Sequence, residues 1–275
     1  MFHPMKLLAA LAQNLTIYEH SRVLSVDEHT VHTQHGTVTA EKIIFCCHYP
    51  FPNVPGFYFL RQHQERSYVL ALEDAASLQN YYLGVDGQKF SLRSHGQTLL
   101  LGGSGHRTGE NTLGDNYKAL EAAAKRFWPQ SHISAHWSAQ DCIPMDGIPY
   151  IGSYARSHPD WLIATGFQKW GMTFSMIAAL ILRDEICGTE NTFGRIFSPQ
   201  RFHMKAAVPH LLTDVGISVK SLTKALFTEK PCCAHLGCKL EWNPDEQSWD
   251  CPCHGSRYTK EGKLLDNPSV KELEE

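Results

Sequence analysis

The 275-residue sequence contains no apolar run of the roughly 18 residues that a membrane-spanning helix needs. The longest candidate, Met172 to Leu182, is interrupted by Thr173 and Ser175 and stopped by Arg183-Asp184-Glu185, which suits a buried helix. There is no basic excess. Lys and Arg number 25 against 28 Asp and Glu, for a formal charge of −3, which argues against a nucleic-acid-binding surface. Internal repeats and low-complexity tracts are absent, and no Ser-His-Asp or paired-carboxylate arrangement stands out. The stretch Lys6 to Ala12 has too short an apolar core and no cleavage site for a secretion signal. It reads as a short amphipathic helix, and the expected location is cytoplasmic. A glycine-rich phosphate loop between a strand and a helix is also missing. Its nearest likeness, Gly103-Ser104-Gly105, has Thr108 where the last glycine belongs, and no helix clearly starts there. Hydrophobic content of 43% permits an ordinary core. At about 150 residues per domain the length suggests two units.

What the sequence does have is clustered cysteine. Five of its nine cysteines fall between Cys232 and Cys253, with His235 and His254 among them. Cys233, His235, Cys251 and His254 write out as C-x-H, a 15-residue gap, and C-x2-H. Ferric iron prefers soft thiolates, and neutral imidazoles in place of two of them lower the negative charge of a bridged cluster and ease its reduction. Each pair must come from one tight loop, and Gly237 and Gly255 let the chain bend there. Zinc is the alternative for any Cys/His grouping, although C-x-H is uncommon among zinc loops. Only Cys233 gives C-x-H, which leaves Cys232 a bystander.

With its His-Leu-Gly-Cys and Cys-Pro-Cys-His-Gly-Ser strings, the segment resembles a Rieske [2Fe–2S] domain. The resemblance implies that Cys233 and Cys251 hold the inner iron. It implies that His235 and His254 hold the outer one, nearer the surface where electrons leave. It also implies a disulfide between Cys238 and Cys253 that clamps the loops. About 45 residues make a marginal core, with Trp242, Trp249, Tyr258 and Leu264 as its apolar cover and the cluster supplying much of the folding free energy.

Upstream, residues 4–13 read as a helix. Leu15 to Val26, Thr30 to Val38, Arg66 to Glu73, Tyr81 to Val85, Lys89 to Arg93 and Thr98 to Leu101 read as strands, the last two as a hairpin. Lys42 to Tyr49 suits a buried strand in which Cys46 and Cys47 are inert. Asp115 is expected to cap a helix reaching about Phe127. Trp161 to Thr165 reads as a strand that turns at Gly166 into a helix from Gly171 to Cys187. Such a helix start offers unpartnered N–H groups to an electron-rich oxygen.

Asp141 to Gly152, Ala164 to Phe167 and Trp170 to Thr173 together resemble the FAD-contacting end of the glycine oxidase/D-amino-acid oxidase-like flavoproteins, and Gly102 to Gly109 resembles their substrate sheet. The resemblance implies a mixed sheet plus an antiparallel substrate sheet, an α+β or α/β arrangement, with FAD contacts from Gly166, Phe167, Gly171, Met172 and Thr173. The expectation is a partial FAD-dependent oxidoreductase fold over residues 1–200, a connector with one modest helix over 201–229 and a small, truncated β Rieske domain over 230–275. FAD would then be held only in a longer or complemented protein. A small-molecule substrate and an electron donor or acceptor protein are the expected partners, with no nucleic acid and no membrane span. The competing reading is a non-enzymatic Rieske carrier with residues 1–200 as scaffold, and a zinc protein is the third. His106 is the one catalytic candidate, against a packing role. Arg93 and Arg107 could meet a carboxylate, against a solvated surface role.

Overall fold

The computed structural model of the chain describes residues 3–85, 87, 90–201, 204–227 and 231–273, with the backbone alone over 204–211. Lys89, which opens an expected strand, lies outside the described residues, as do 202, 203, 228 and 229 of the expected connector and residue 230, the first of the expected Rieske domain. Two units follow each other, Met1–Lys42 and Ile43–Glu275.

The first unit holds α1 (Pro4–Ala12) and an antiparallel meander of β1 (Val23–Asp27), β2 (Thr30–Thr33) and β3 (Thr37–Thr39). Proline sits where the first helical turn needs no N–H. The expected strand from Leu15 is confined to the last residues of its run, and Leu15, Ile17 and Tyr18 are exposed. Thr30 to Val38 folds as a hairpin because Thr33 Oγ1 accepts from the backbone N–H groups of His35 and Gly36 and turns the chain.

The second unit runs β4 (Ile43–Phe45), a 3₁₀ turn (Tyr58–Leu60), β5 (Gln62–Glu73), β6 (Tyr82–Leu83), β7 (Ser91–His95), β8 (Thr98–Arg107), α2 (Asn116–Phe127) and β9 (His132–Pro144). It continues with β10 (Tyr150–Ala155), β11 (His158–Thr165), α3 (Gly171–Ile186), α4 (Gly194–Phe197), α5 (Met204–Ala225), β12 (Glu241–Asn243), β13 (Ser248–Asp250), β14 (Arg257–Tyr258) and β15 (Leu264–Asp266). Three sheets result. A mixed sheet orders β10-β11-β4, with β4 parallel to β11, and a five-stranded antiparallel sheet orders β6-β7-β8-β5-β9. A four-stranded antiparallel sheet, β12 to β15, ends the chain. The mixed sheet, the antiparallel sheet and the small C-terminal β domain are the expected architecture.

Two expectations are corrected here. β4 ends at Phe45, so Cys46 is exposed and Cys47 half-buried, because His48 takes a left-handed conformation and turns the chain. α3 is not buried all round. Ala178, Ile181 and Leu182 pack on Ile151, Leu162 and Ala164, while Met176 and Leu180 on its other side are exposed.

β5 positions everything that follows. Residues on one face of a strand alternate, and Gln62, Gln64, Arg66, Tyr68, Leu70 and Leu72 share a face and are all buried. The apolar half of that face, with Leu99, Leu101 and Leu120, makes the core under α2. The polar half takes its partners largely from the C-terminal domain. Arg66, 1% exposed, faces Glu246 at 3.7 Å and Asp266 at 3.5 Å, and Tyr68 accepts a hydrogen bond from Asn111.

The cap of α2 is also not the expected one. Asp115 is left-handed at φ 74° and its side chain caps nothing. Asp245, from the turn between β12 and β13, accepts instead from the backbone N–H groups of Asp115 and Asn116, both at 3.1 Å, and from the Asn116 side chain at 2.9 Å. Burial pushes the Asp245 carboxyl up, but hydrogen bonds from Asn116 and Asn111 outweigh it and hold the pKa below the usual value. The domain boundary is tight elsewhere too. Gly109, at φ +84°, leaves no room for a Cβ, which would sit 2.5 Å from Pro252 Cα. Replacing Asp245 by Ala removes a helix cap and is expected to cost about 1 kcal/mol of stability in a denaturant titration. A lowered folded pKa means that the Asp245 contribution is present above the unfolded value and lost as pH falls through the folded one. The gap between wild type and Asp245→Ala therefore closes in acid.

Candidate metal centre

The two cysteine-bearing loops close by the same pair of bonds. Cys233 N donates to Cys238 O at 2.7 Å and Gly237 N to Cys233 O at 2.9 Å. In the second loop Cys251 N donates to Ser256 O and Gly255 N to Cys251 O, both at 2.9 Å. Gly237 and Gly255 have φ +75° and +86°, the left-handed turn that L side chains avoid. Cys238 and Cys253 form a disulfide that ties the loops together. Cys232 is exposed.

Inside this clamp Cys233 and Cys251 are buried at 3% and 0% exposure. The His235 and His254 rings lie 5.0 Å apart between centroids, nearly perpendicular at 89°. The Nδ1 atoms of both are buried without a hydrogen-bond partner. A buried polar nitrogen left unpaired is costly, and two in one place point to a group that both would ligate. Burial lowers the His235 pKa to about 4. Burial, then His235 and Arg107, lowers that of His254 to about 3. Both rings are thus neutral donors near pH 7. A hydrogen bond from Cys251, helped by Tyr258, lowers the Cys233 thiol to about 6, while Cys251 is pushed up as the proton's keeper. Tyr258 Oη lies 3.4 Å from Cys233 Sγ and accepts from Ala234 N at 3.2 Å.

The donors fit a [2Fe–2S] cluster held by two sulfurs and two imidazole nitrogens. The sulfurs of Cys238, Cys251 and Cys253 also lie within 4.8 Å of one another, but two of them are spent in the disulfide and cannot act as a three-thiolate zinc set. Cys233, Cys238, Leu240, Cys251, Cys253 and Tyr258 form the local core, with Trp249 and Leu264 against it and Trp242 meeting Trp249 edge-on at 67°.

The histidine edge was expected nearer the surface than the cysteines; His235 is half-buried where Cys233 and Cys251 are buried at 3% and 0% exposure, but neighbouring residues cover the edge. His254 is 5% exposed, and Phe59 meets both rings edge-on, at 5.9 Å for His254 and 6.4 Å for His235. Asn53 Oδ1 lies 2.7 Å from His235 Nε2. The cause is the grip of the five-stranded sheet on the ligand loops. Gln64 donates to His254 O at 2.9 Å, and Gln140 to Gly255 O at 3.2 Å. Arg107, expected to be solvated, is half-buried and donates to Pro252 O at 3.0 Å and Cys253 O at 3.1 Å while pairing with Asp214 of α5. An apolar cleft of about 210 Å³, lined by Phe59, Leu60, Val215, Val219 and Leu236, opens onto His254.

The expected flavin contacts lie at the end of the mixed sheet. β11 turns at buried Gly166, whose φ is +76°, and a Cβ there would lie 2.5 Å from Pro144 Cγ. Phe167 packs on the β10–β11–α3 core. α3 begins at Gly171 with no side-chain cap, Gly171 faces open space, and Met172 and Thr173 are exposed. Beside the turn, both polar atoms of the Gln62 side chain are buried and unpartnered. An uncapped helix start, open space and an orphaned amide fit an electron-rich ring edge. His106 stands apart from these residues in its bonding. Its ring nitrogens are engaged by Tyr68 Oη at 3.0 Å and Arg107 O at 2.7 Å. Arg93 is exposed on β7.

Asn53, Phe59, Gln64, Gln140 and Asp214 carry no motif and escape a reading of the sequence, and Arg107 was read as a partner for a carboxylate, which Asp214 supplies. The alternation of Gln62, Gln64, Arg66 and Tyr68 ahead of Leu70 and Leu72 was the available signal that a polar strand face needed a cover.

Comparison with known proteins agrees with this geometry. Residues 1–185 match the family model of FAD dependent oxidoreductases, and residues 212–275 that of the Rieske [2Fe-2S] domain. The chain is 31% identical to YhfW of Bacillus subtilis (strain 168), described as a Rieske 2Fe-2S iron-sulfur protein; the match takes in 100% of this chain but 64% of that protein. The chain thus spans less than two thirds of that relative's length. An iron-sulfur subunit of the cytochrome b6-f complex from Microcystis aeruginosa is 51% identical over 51 residues, 18% of this chain and 28% of the subunit. Glycine oxidase from Geobacillus kaustophilus shares the fold with a TM-score of 0.61 at 20% identity, over 71% of this chain and 56% of the oxidase. No helix among the described residues is long and apolar enough to cross a membrane.

The disulfide closes a loop of sequence separation 15. Removing such a cross-link releases about 3 kcal/mol of unfolded-state chain entropy. The double variant Cys238→Ala/Cys253→Ala is expected to lose stability of that order in chemical denaturation.

Proposed function

The chain belongs to the FAD-dependent oxidoreductase family and carries a Rieske [2Fe–2S] domain, and from that premise we propose that it is a flavin-linked oxidoreductase that moves electrons between a small-molecule substrate and a partner protein through the Rieske centre. When bound, FAD supplies hydride acceptance and the [2Fe–2S] cluster supplies one-electron transfer. The observation that carries the reading is the pair of buried, unpartnered Nδ1 atoms on His235 and His254 beside Cys233 and Cys251.

Cys233 and Cys251 would hold the inner iron and His235 and His254 the outer one. Gly166, Phe167, Gly171, Met172 and Thr173 would hold the isoalloxazine end of FAD. The dinucleotide end would be met by a strand–loop–helix that these 275 residues do not include, in a longer or complemented protein. β5 links the two sites, since Gln62 stands beside the Gly166 turn and Gln64, two residues on, holds the His254 carbonyl. That step along a strand is about 7 Å. The proposal keeps a cytoplasmic location, where burial of Cys238 and Cys253 at 2% exposure each shields the disulfide from reductants.

Protein purified with its complementing segment is expected to show flavin and iron–sulfur absorption together, and a Rieske-type paramagnetic signal after reduction. Replacing His235 and His254 by Ala should abolish that signal. Iron–sulfur bands in a sample that refuses flavin would leave a simple electron carrier, and a colourless zinc protein would end the proposal.

A further inference from the structure

The loop that precedes β5 grips the histidine edge at both rings. Asn53 Oδ1 lies 2.7 Å from His235 Nε2, and the Phe59 backbone hydrogen-bonds the His254 ring. An amide oxygen only accepts, so the single proton of a neutral His235 sits on Nε2. The Nδ1 lone pair is then left pointing into the buried space where it has no partner.

The loop that carries Asn53 is itself tied down. Asn53 O accepts from Phe57 N at 2.9 Å, and Tyr154 Oη donates to Pro52 O at 2.7 Å. The Phe59 ring stands edge-on to both imidazoles, at 81° to His235 and 88° to His254. A group that accepts the far N–H of a metal-bound imidazole fixes its orientation and makes its other nitrogen a stronger donor. A stronger donor favours the oxidised, more positive state of an iron centre.

We propose that Asn53 is the positioning residue for His235: it fixes the tautomer of this ligand, holds the histidine edge captive on the flavoprotein sheet, and makes the centre harder to reduce than it would be without that bond. The inference rests on the Rieske reading of the site. The Phe59 acceptor is backbone and cannot be substituted away, so Asn53 is the residue to vary.

The test compares the full chain with Asn53→Ala and Asn53→Asp, reading iron and acid-labile sulfide per protein and the reduction potential by titration of the paramagnetic signal. Asn53→Ala removes the acceptor and should shift the potential upward. Asn53→Asp offers a stronger, anionic acceptor and should shift it downward. Iron loss in Asn53→Ala that is rescued in Asn53→Asp supports the same role. Potentials that stay at the wild-type value, shifts of one sign in both variants, or equal iron loss in both overturn it. A wild-type protein with no Rieske-type signal at all would instead sink the proposed function itself.

Discussion

The polar half of one strand face governs this molecule. Gln62, Gln64, Arg66 and Tyr68 are each buried at 1% exposure or less, and a buried amide, guanidinium or phenol must find partners or forfeit several kcal/mol. The apolar half of the same face is covered by α2 in the ordinary way. For the polar half the cover is the C-terminal domain, which brings Glu246 and Asp266 to Arg66, the carbonyls of His254 and Asn267 to Gln64, and Asn243 to Tyr68, while both polar atoms of Gln62 stay without a partner. Asp245 of that domain caps α2. The sheet and the domain therefore complete each other.

The small domain needs this as much as the sheet does. Of the six residues in its buried core, four are cysteines, and the others are Leu240 and Tyr258. An apolar core of that size contributes little, and domains this short depend on covalent or metal staples. Cys238 and Cys253 supply the covalent one. Cys233 and Cys251, with the two histidines, supply the donors for a metal one. The sheet adds a third support in Gln64, Gln140 and Arg107, which bind the carbonyls of Pro252, Cys253, His254 and Gly255 and so hold the second ligand loop along its length.

How far this was legible in the sequence follows from the range of each interaction. Metal ligands must come from tight local loops, so Cys233, His235, Cys251 and His254 declare themselves by spacing. The turn glycines Gly237 and Gly255 do so for the same reason. The contacts that orient these ligands span 182 residues for Asn53 and His235 and 190 for Gln64 and His254. A glutamine or asparagine has no pattern that reveals a partner so far away. β5 was read from Arg66 onward because its first four residues are polar, and a polar strand end looks like a solvated one until its cover is known. Asp115 was the natural cap for α2 on local rules. The bond it lacked was taken by Asp245, 129 residues beyond Asn116, and no propensity scale sees such a competitor.

The same contacts decide how the two sites stand in the proposed function. A domain that swung between donor and acceptor would have to release Arg66 from Glu246 and Asp266, Arg107 from two carbonyls and Asp214, and Gln64 from the His254 loop at once. Each release gives up a buried or half-buried ion pair or hydrogen bond, at a cost of about 1–3 kcal/mol apiece. The geometry is that of a fixed dock, with the histidine edge turned toward Asn53 and Phe59. In the proposed function, exchange with the flavin side would run through β5 and its flanking loop. In that function the apolar cleft at His254 would be the side open to a second redox partner.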